Sequence, residues 1–156
     1  MDTNSKTAVF NRIKDYIEKE FDLKTEVNTS DGLTFIRTYP DDIGENNGSF
    51  LLELCFIPTE EEDDVEETFF QIYSTIALDL DEANYPKIMN ELNDINFNVT
   101  IGSYGIVRDQ RQLYHKYMYV TTADTEDQLF DELTTAIGWV INCNDDDYDK
   151  LMSILD

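Results

Sequence analysis

The sequence predicts an α+β domain, and three observations carry that expectation. Apolar residues recur at three- and four-residue intervals in three separate stretches, the period of an amphipathic helix. Between those stretches lie runs that alternate in polarity or are apolar throughout, the patterns of half-buried and central strands. Glycine, proline and capping residues fall at the joints. A chain of 156 residues, 41% of them hydrophobic, can bury one sizeable core, so a single domain over residues 1–156 is expected.

The first helix is predicted from Val9, Phe10, Ile13, Ile17 and Phe21, with Asn11, Arg12, Lys14, Asp15 and Glu18 on its outer face. Thr3, Asn4 or Ser5 is placed to cap it. Leu23 to Asn28 and Leu33 to Tyr39 read as a strand pair, because Asp31-Gly32 between them tolerates the positive φ of a tight hairpin. Pro40 ends the second strand. After a polar loop from Asp41 to Gly48, the stretch Ser49 to Ile57 is apolar enough to be covered on much of both faces, which places it near the centre of a sheet.

The stretch from Phe69 to Leu155 is the most clearly punctuated. Phe69 to Leu80 is apolar on both faces and is predicted to be a second central strand. A helix follows from about Asp81, where acidic residues suit the helix dipole and Pro86 suits the first turn; Tyr85, Ile88, Met89, Leu92 and Ile95 form its buried stripe. Phe97, Val99 and Ile101 then alternate with Asn98 and Thr100, which predicts a strand running on to Val107, with Gly102 and Gly105 as a bulge, a kink or a tight turn. The returning strand, Gln112 to Thr122, places Leu113, His115, Tyr117 and Tyr119 on one face. Thr125 and Gln128 form a capping-box pattern, and the apolar positions from Leu129 to Leu155 keep one helical phase, so a single long helix closes the chain.

Charge narrows the partners. There are 34 Asp and Glu against 11 Lys and Arg, a formal charge of -23 and a pI near 4.1. Such a field repels phosphates, so neither nucleic acid nor an anionic membrane surface is an expected partner, whereas a basic protein or peptide is. The N-terminus shows no positive region followed by an apolar run, and no segment approaches the length of a membrane span, so a cytoplasmic location is expected. Cys55 and Cys143 lack the spacing of metal or redox motifs and read as reduced core residues, with a disulfide between them as the alternative.

Few residues invite a chemical reading. His115 is the only histidine, and no nucleophile or second histidine accompanies it in a motif, so it reads as a packed or surface residue. Glu60 to Glu67 holds seven acidic residues in eight positions and reads as a solvated connection; Glu61, Glu62, Asp63 and Asp64 are alternatively the contact for a basic partner. Neither this run nor Asp145-Asp146-Asp147 with Asp149 has the ligand spacing and turn glycine of a calcium loop. No catalytic residue, cofactor site or metal site is therefore expected. On the last helix, Ala136, Trp139, Cys143 and Ile154 form a second apolar strip beside the main one. Either a neighbouring element covers it, or Trp139 and Ile154 reach a partner.

The segments Phe70-Gln71-Ile72-Tyr73-Ser74, Leu92-Asn93-Asp94-Ile95-Asn96, Gly102-Ser103-Tyr104-Gly105-Ile106 and Tyr114-His115-Lys116-Tyr117, with the helix after Thr125, resemble the YbjN family, whose domain is related in fold to type III secretion chaperones. The likeness covers a little over half the chain. It implies an N-terminal helix, an antiparallel sheet of about five or six strands and two further helices packed on it. It also implies action by binding, since secretion chaperones of this shape are small, acidic, commonly dimeric and hold extended client segments. The chain departs from that pattern in the Glu60 to Glu67 insertion. The function expected is a non-catalytic, chaperone-like protein-binding module, with a homodimer as one form of it. The rival is an acidic inhibitor or immunity-type protein that covers a basic site.

Overall fold

Local signals account for most of the observed elements. The computed structural model describes residues 1–58 and 67–156. Helix α1 (Thr3–Glu20) is capped by Asp2, whose carboxylate accepts from the Ser5 amide at 2.8 Å, one residue before the three capping candidates. Its Val9, Phe10, Ile13 and Ile17 are buried as the apolar period requires. Strands β1 (Thr25–Ser30) and β2 (Leu33–Thr38) join through Asp31 and Gly32, both at positive φ, the backbone of a two-residue hairpin turn. Strand β3 (Leu51–Ile57) and strand β4 (Thr68–Ala77) pair along seven positions, from Leu51 with Thr75 to Ile57 with Phe69.

Past β4 the chain leaves the sheet. Asp81 caps a short 3-10 turn, Glu82–Asn84, through the Ala83 amide, and helix α2 (Tyr85–Asn98) follows with Pro86 in its first turn. Strand β5 (Ser103–Val107) and strand β6 (Gln112–Thr121) then form a hairpin whose turn passes through Arg111 in the left-handed region. Helix α3 (Glu126–Leu155) runs for 30 residues, capped by Thr125 to the Gln128 amide at 3.2 Å.

The six strands among the described residues form one antiparallel sheet in the order β1-β2-β3-β4-β6-β5. Strand β6 therefore fills the place between β4 and β5, and β5 is the outer strand. Leu52, Leu54, Phe70, Ile72, Leu113 and His115 point to one face, and the three helices cover it in a single core. The fold is α+β, as expected. No described helix is long and apolar enough to cross a membrane.

The strand expected from Phe97 does not begin there. Helix α2 keeps its hydrogen bonds through the Val99 amide, which donates to Ile95 at 3.0 Å, so Phe97 lies on the helix and is 88% exposed. Met89 is also exposed rather than part of the buried stripe, which consists of Ile88, Leu92 and Ile95. Gly102 at φ +66° makes the turn into β5, so it is not a bulge within a strand. A Cβ there would stand 2.6 Å from the Lys116 carbonyl oxygen and 2.7 Å from the His115 ring. The two ends of this connection are then tied by the Asn96 side chain. It accepts from the Tyr104 amide at 2.7 Å and donates to the Tyr104 carbonyl at 2.9 Å.

Gly32 provides a control for Gly102, because it shares a positive φ but has open space around its Cβ position. Gly32→Ala is expected to cost about 1–2 kcal/mol from backbone strain alone. Gly102→Ala should cost at least about 1 kcal/mol more, from overpacking against β6. Urea unfolding of the two variants measures the difference, and equal losses would contradict the close approach.

Candidate functional site

The unequal lengths of β5 and β6 create a surface concavity. Strand β6 has ten residues, but β5 pairs only with Gln112 to Lys116. Tyr117 to Thr121 keep β4 on one side and have no strand on the other among the described residues. Among the described residues, α3 flanks the core face of that half-paired stretch. The result is a groove of about 430 Å³ with Tyr117 and Tyr119 as its floor, Asp131, Glu132 and Trp139 on the helix wall and Ile101 at one end.

Each side chain is positioned by its element. Tyr117 and Tyr119 are two apart on a strand and so share a face, with ring centroids 6.2 Å apart in an edge-to-face arrangement. Asp131, Thr135 and Trp139 follow one another at four-residue steps along α3 and form the outer rim. Trp139 is 57% exposed. Ala136 lies beneath it in the core.

The two carboxylates differ. Glu132 accepts from the Thr121 hydroxyl, from Gln128 Nε2 at 2.9 Å and from the Tyr119 hydroxyl at 3.4 Å. These bonds, that of Thr121 foremost, hold its carboxyl below the usual range. The Asp131 carboxylate has no such partners among the described residues. The ion pairs among the described residues are Arg12–Asp127, Lys14–Glu18 and Arg37–Glu53, and no Lys or Arg lines the groove.

The residues singled out in the sequence are not brought together. Trp139 is at the surface, but Ile154 is only 7% exposed and belongs to the core, so it does not extend the Trp139 surface. At that end of α3 the packing wraps further round the helix, burying Leu151 and Ile154 and half-burying Met152 and Leu155. Glu61, Glu62, Asp63 and Asp64 lie outside the described residues. Sequence reasoning missed Asp131 and Glu132, which look like ordinary polar positions on an amphipathic helix. It had grouped Tyr117 and Tyr119 correctly on one face.

His115 is packed. It is fully buried beside Tyr104, ring centroids 4.8 Å apart, and Nε2 lies 2.9 Å from the Ile101 carbonyl oxygen. Nε2 must donate in that contact, so the neutral ring carries its proton there and Nδ1 has no partner among the described residues. Around it the Tyr104 hydroxyl reaches Asn144 Oδ1 at 3.1 Å and Asp147 Oδ2 at 3.2 Å, and Asn144 donates to Ser74 Oγ at 2.8 Å. Cys55 and Cys143 are free thiols, and burial pushes the Cys55 thiol up to about 11. No group of metal-binding side chains occurs among the described residues.

The acidic residues near the end of α3 hold a loop. Asp145 accepts from the Gly44 amide at 2.7 Å, Asp149 accepts from the Glu45 amide at 2.8 Å, and the Tyr148 hydroxyl donates to the Ser49 carbonyl at 3.2 Å. None of the described helices lies on the opposite face of the sheet. There Tyr73 and Tyr114 stack at 5.4 Å, and a smaller concavity of about 310 Å³ lies between Phe35, Gln71 and Val107. No protein-family model matches the chain, and no curated protein does.

Burial lowers the His115 pKa from its ordinary 6.5, the Ile101 contact opposing this only in part. The unfolded chain takes up that proton near 6.5, so the neutral ring contributes stability that is complete above about pH 6.5 and lost as pH falls below it. Unfolding free energy should therefore drop more steeply between neutral pH and about pH 5 in the native chain than in His115→Gln. Carboxylates titrate in both chains, so the difference between the two curves is the readout. Superimposable slopes would count against a buried neutral ring.

Proposed function

We propose that this protein is a non-catalytic, chaperone-like binding module of the cytoplasm that docks a segment of another protein in the groove between β6 and α3. One observation carries the reading: a tryptophan left 57% exposed over a floor of two tyrosines, next to the half of β6 that lacks an outer strand. Exposed aromatic side chains in a concavity are the residues that dominate protein interfaces. An extended segment suits the place, because an unpaired strand edge offers main-chain hydrogen bonds. The charge of -23 favours a basic segment over an acidic one.

The non-catalytic part of the reading is supported by the enclosure of His115, which is shut off from solvent within the core. The order of helix, strands, helix, two strands and helix agrees with what a YbjN-like domain would have, and the Asn96–Tyr104 pair joins two of the segments that carry that likeness. Secretion chaperones of related shape hold client segments, and the same role is proposed here. A homodimer is compatible with it.

A second reading has its own observation. Seven acidic residues in eight positions from Glu60 to Glu67 suit an inhibitor that covers a basic site. The two readings diverge on one pair of variants, compared by affinity capture of a partner on the full chain. Trp139→Ala is expected to weaken capture by about tenfold, as loss of an aromatic anchor does. Replacing Glu61, Glu62, Asp63 and Asp64 with Ser should leave capture nearly unchanged. The reverse pattern, with strong salt sensitivity, would transfer the function to the acidic run; no effect of either variant would exclude both readings.

A further inference from the structure

We propose that the groove between β6 and α3 is an arginine-binding site, in which the guanidinium of a partner's arginine stacks on the Trp139 indole and pairs with the Asp131 carboxylate. The inference rests on the segment-docking reading and names the side chain that such a segment must present.

The walls of the groove combine two chemistries that a guanidinium joins. Trp139, Tyr117 and Tyr119 supply three aromatic rings, whose faces attract a cation. Asp131 and Glu132 supply negative charge on the same side, with no base among the lining residues to neutralise it. Glu132 is already engaged by Thr121, Gln128 and Tyr119, which leaves Asp131 as the carboxylate that can take a new partner. A volume of about 430 Å³ holds a long side chain together with its neighbours in an extended segment.

Arginine is favoured over lysine by shape. Its planar group can lie flat on an indole while its edge pairs with a carboxylate, whereas an ammonium is a point charge that keeps its water. The chain already holds a guanidinium between a carboxylate and an aromatic ring near the start of α3, there from residues three apart rather than the eight that separate Asp131 from Trp139. Arg12 lies 4.3 Å over the Phe130 ring and pairs with Asp127 at 2.8 Å. Asp131 follows Asp127 by four residues on the same helix. Asp127 is thus satisfied from within the molecule, and Asp131 is the next such position toward Trp139.

Trp139 is the only tryptophan, so the site reports its own occupancy by fluorescence. The full chain is titrated with a capped peptide Val-Arg-Val-Arg-Val, with the same peptide carrying citrulline or lysine in place of arginine, and with tetramethylammonium. Citrulline keeps the shape and removes the charge. Saturable change with the arginine peptide is expected, weakened about tenfold or more by citrulline, by Asp131→Asn and, in calorimetry, by Trp139→Ala. Glu26→Gln removes the same charge from β1 at the far end of the sheet and should leave affinity unchanged.

Equal binding of the citrulline peptide overturns the arginine site while the segment-docking reading stands. Equal binding of lysine or tetramethylammonium overturns the choice of guanidinium. An equal effect of Glu26→Gln and Asp131→Asn reduces the binding to bulk charge and overturns the site. Absence of saturable change with any of the probes also overturns it, and partner capture that still depends on Trp139 would then show that segment docking survives without it.

Discussion

The hydrogen bonds that converge on Tyr104 are the constraint on which the arrangement of the other elements depends. The main chain of Tyr104 is gripped by Asn96 at the end of α2, its ring lies against His115 of β6, and its hydroxyl reaches Asn144 and Asp147 of α3. Asn144 extends the chain of contacts to Ser74 of β4. Buried polar groups are costly when unpaired and directional when paired, so a network of this kind admits one placement of α3 over the sheet. An apolar interface alone would tolerate sliding. Since Trp139, Asp131 and Glu132 all stand on α3, the width and content of the groove follow from that placement.

Helix α3 serves three purposes along its length. Its first turns carry the cap, the bridge to Arg12 and the wall of the groove; its middle enters the Tyr104 network; its last turns hold the loop before β3 through Asp145, Tyr148 and Asp149. Asp145, Asp147 and Asp149, which look in sequence like part of a charge run, thus accept from particular amides and a hydroxyl. Asp145 and Asp149 are four residues apart and reach adjacent amides of the same loop, as one face of a helix allows. A short loop with residues at positive φ is held to a rigid support in this way.

What was legible in the sequence was whatever depends on local period. Apolar spacing from Leu129 to Leu155 revealed one long helix and showed Trp139 to stand off its main stripe. Strand alternation grouped His115, Tyr117 and Tyr119, and Asp31-Gly32 marked a hairpin. What failed depends on pairing partners or on the extent of covering. Phe97 and Val99 fit both a strand alternation and the last turn of a helix, and continued helix hydrogen bonding to Val99 decided between them. Ile154 lies on the strip of Trp139 by helical angle, but angle does not say how far the core wraps each end of a helix. The groove itself arises from the mismatch in length between β5 and β6, a property of two strands together that no single stretch of residues displays.

The half-paired edge of β6 also bears on how copies of this chain behave toward each other. Bare strand edges are where identical molecules add to one another's sheets, and many proteins guard them with bulges, prolines or covering loops. From Tyr117 to Thr121 none of the described strands lies outside this edge. A charge of -23 makes mutual approach unfavourable at neutral pH, so colloidal repulsion opposes such pairing. That protection is a function of solution conditions rather than of packing. It fades with added salt and with acid as the molecule nears its pI of about 4.1.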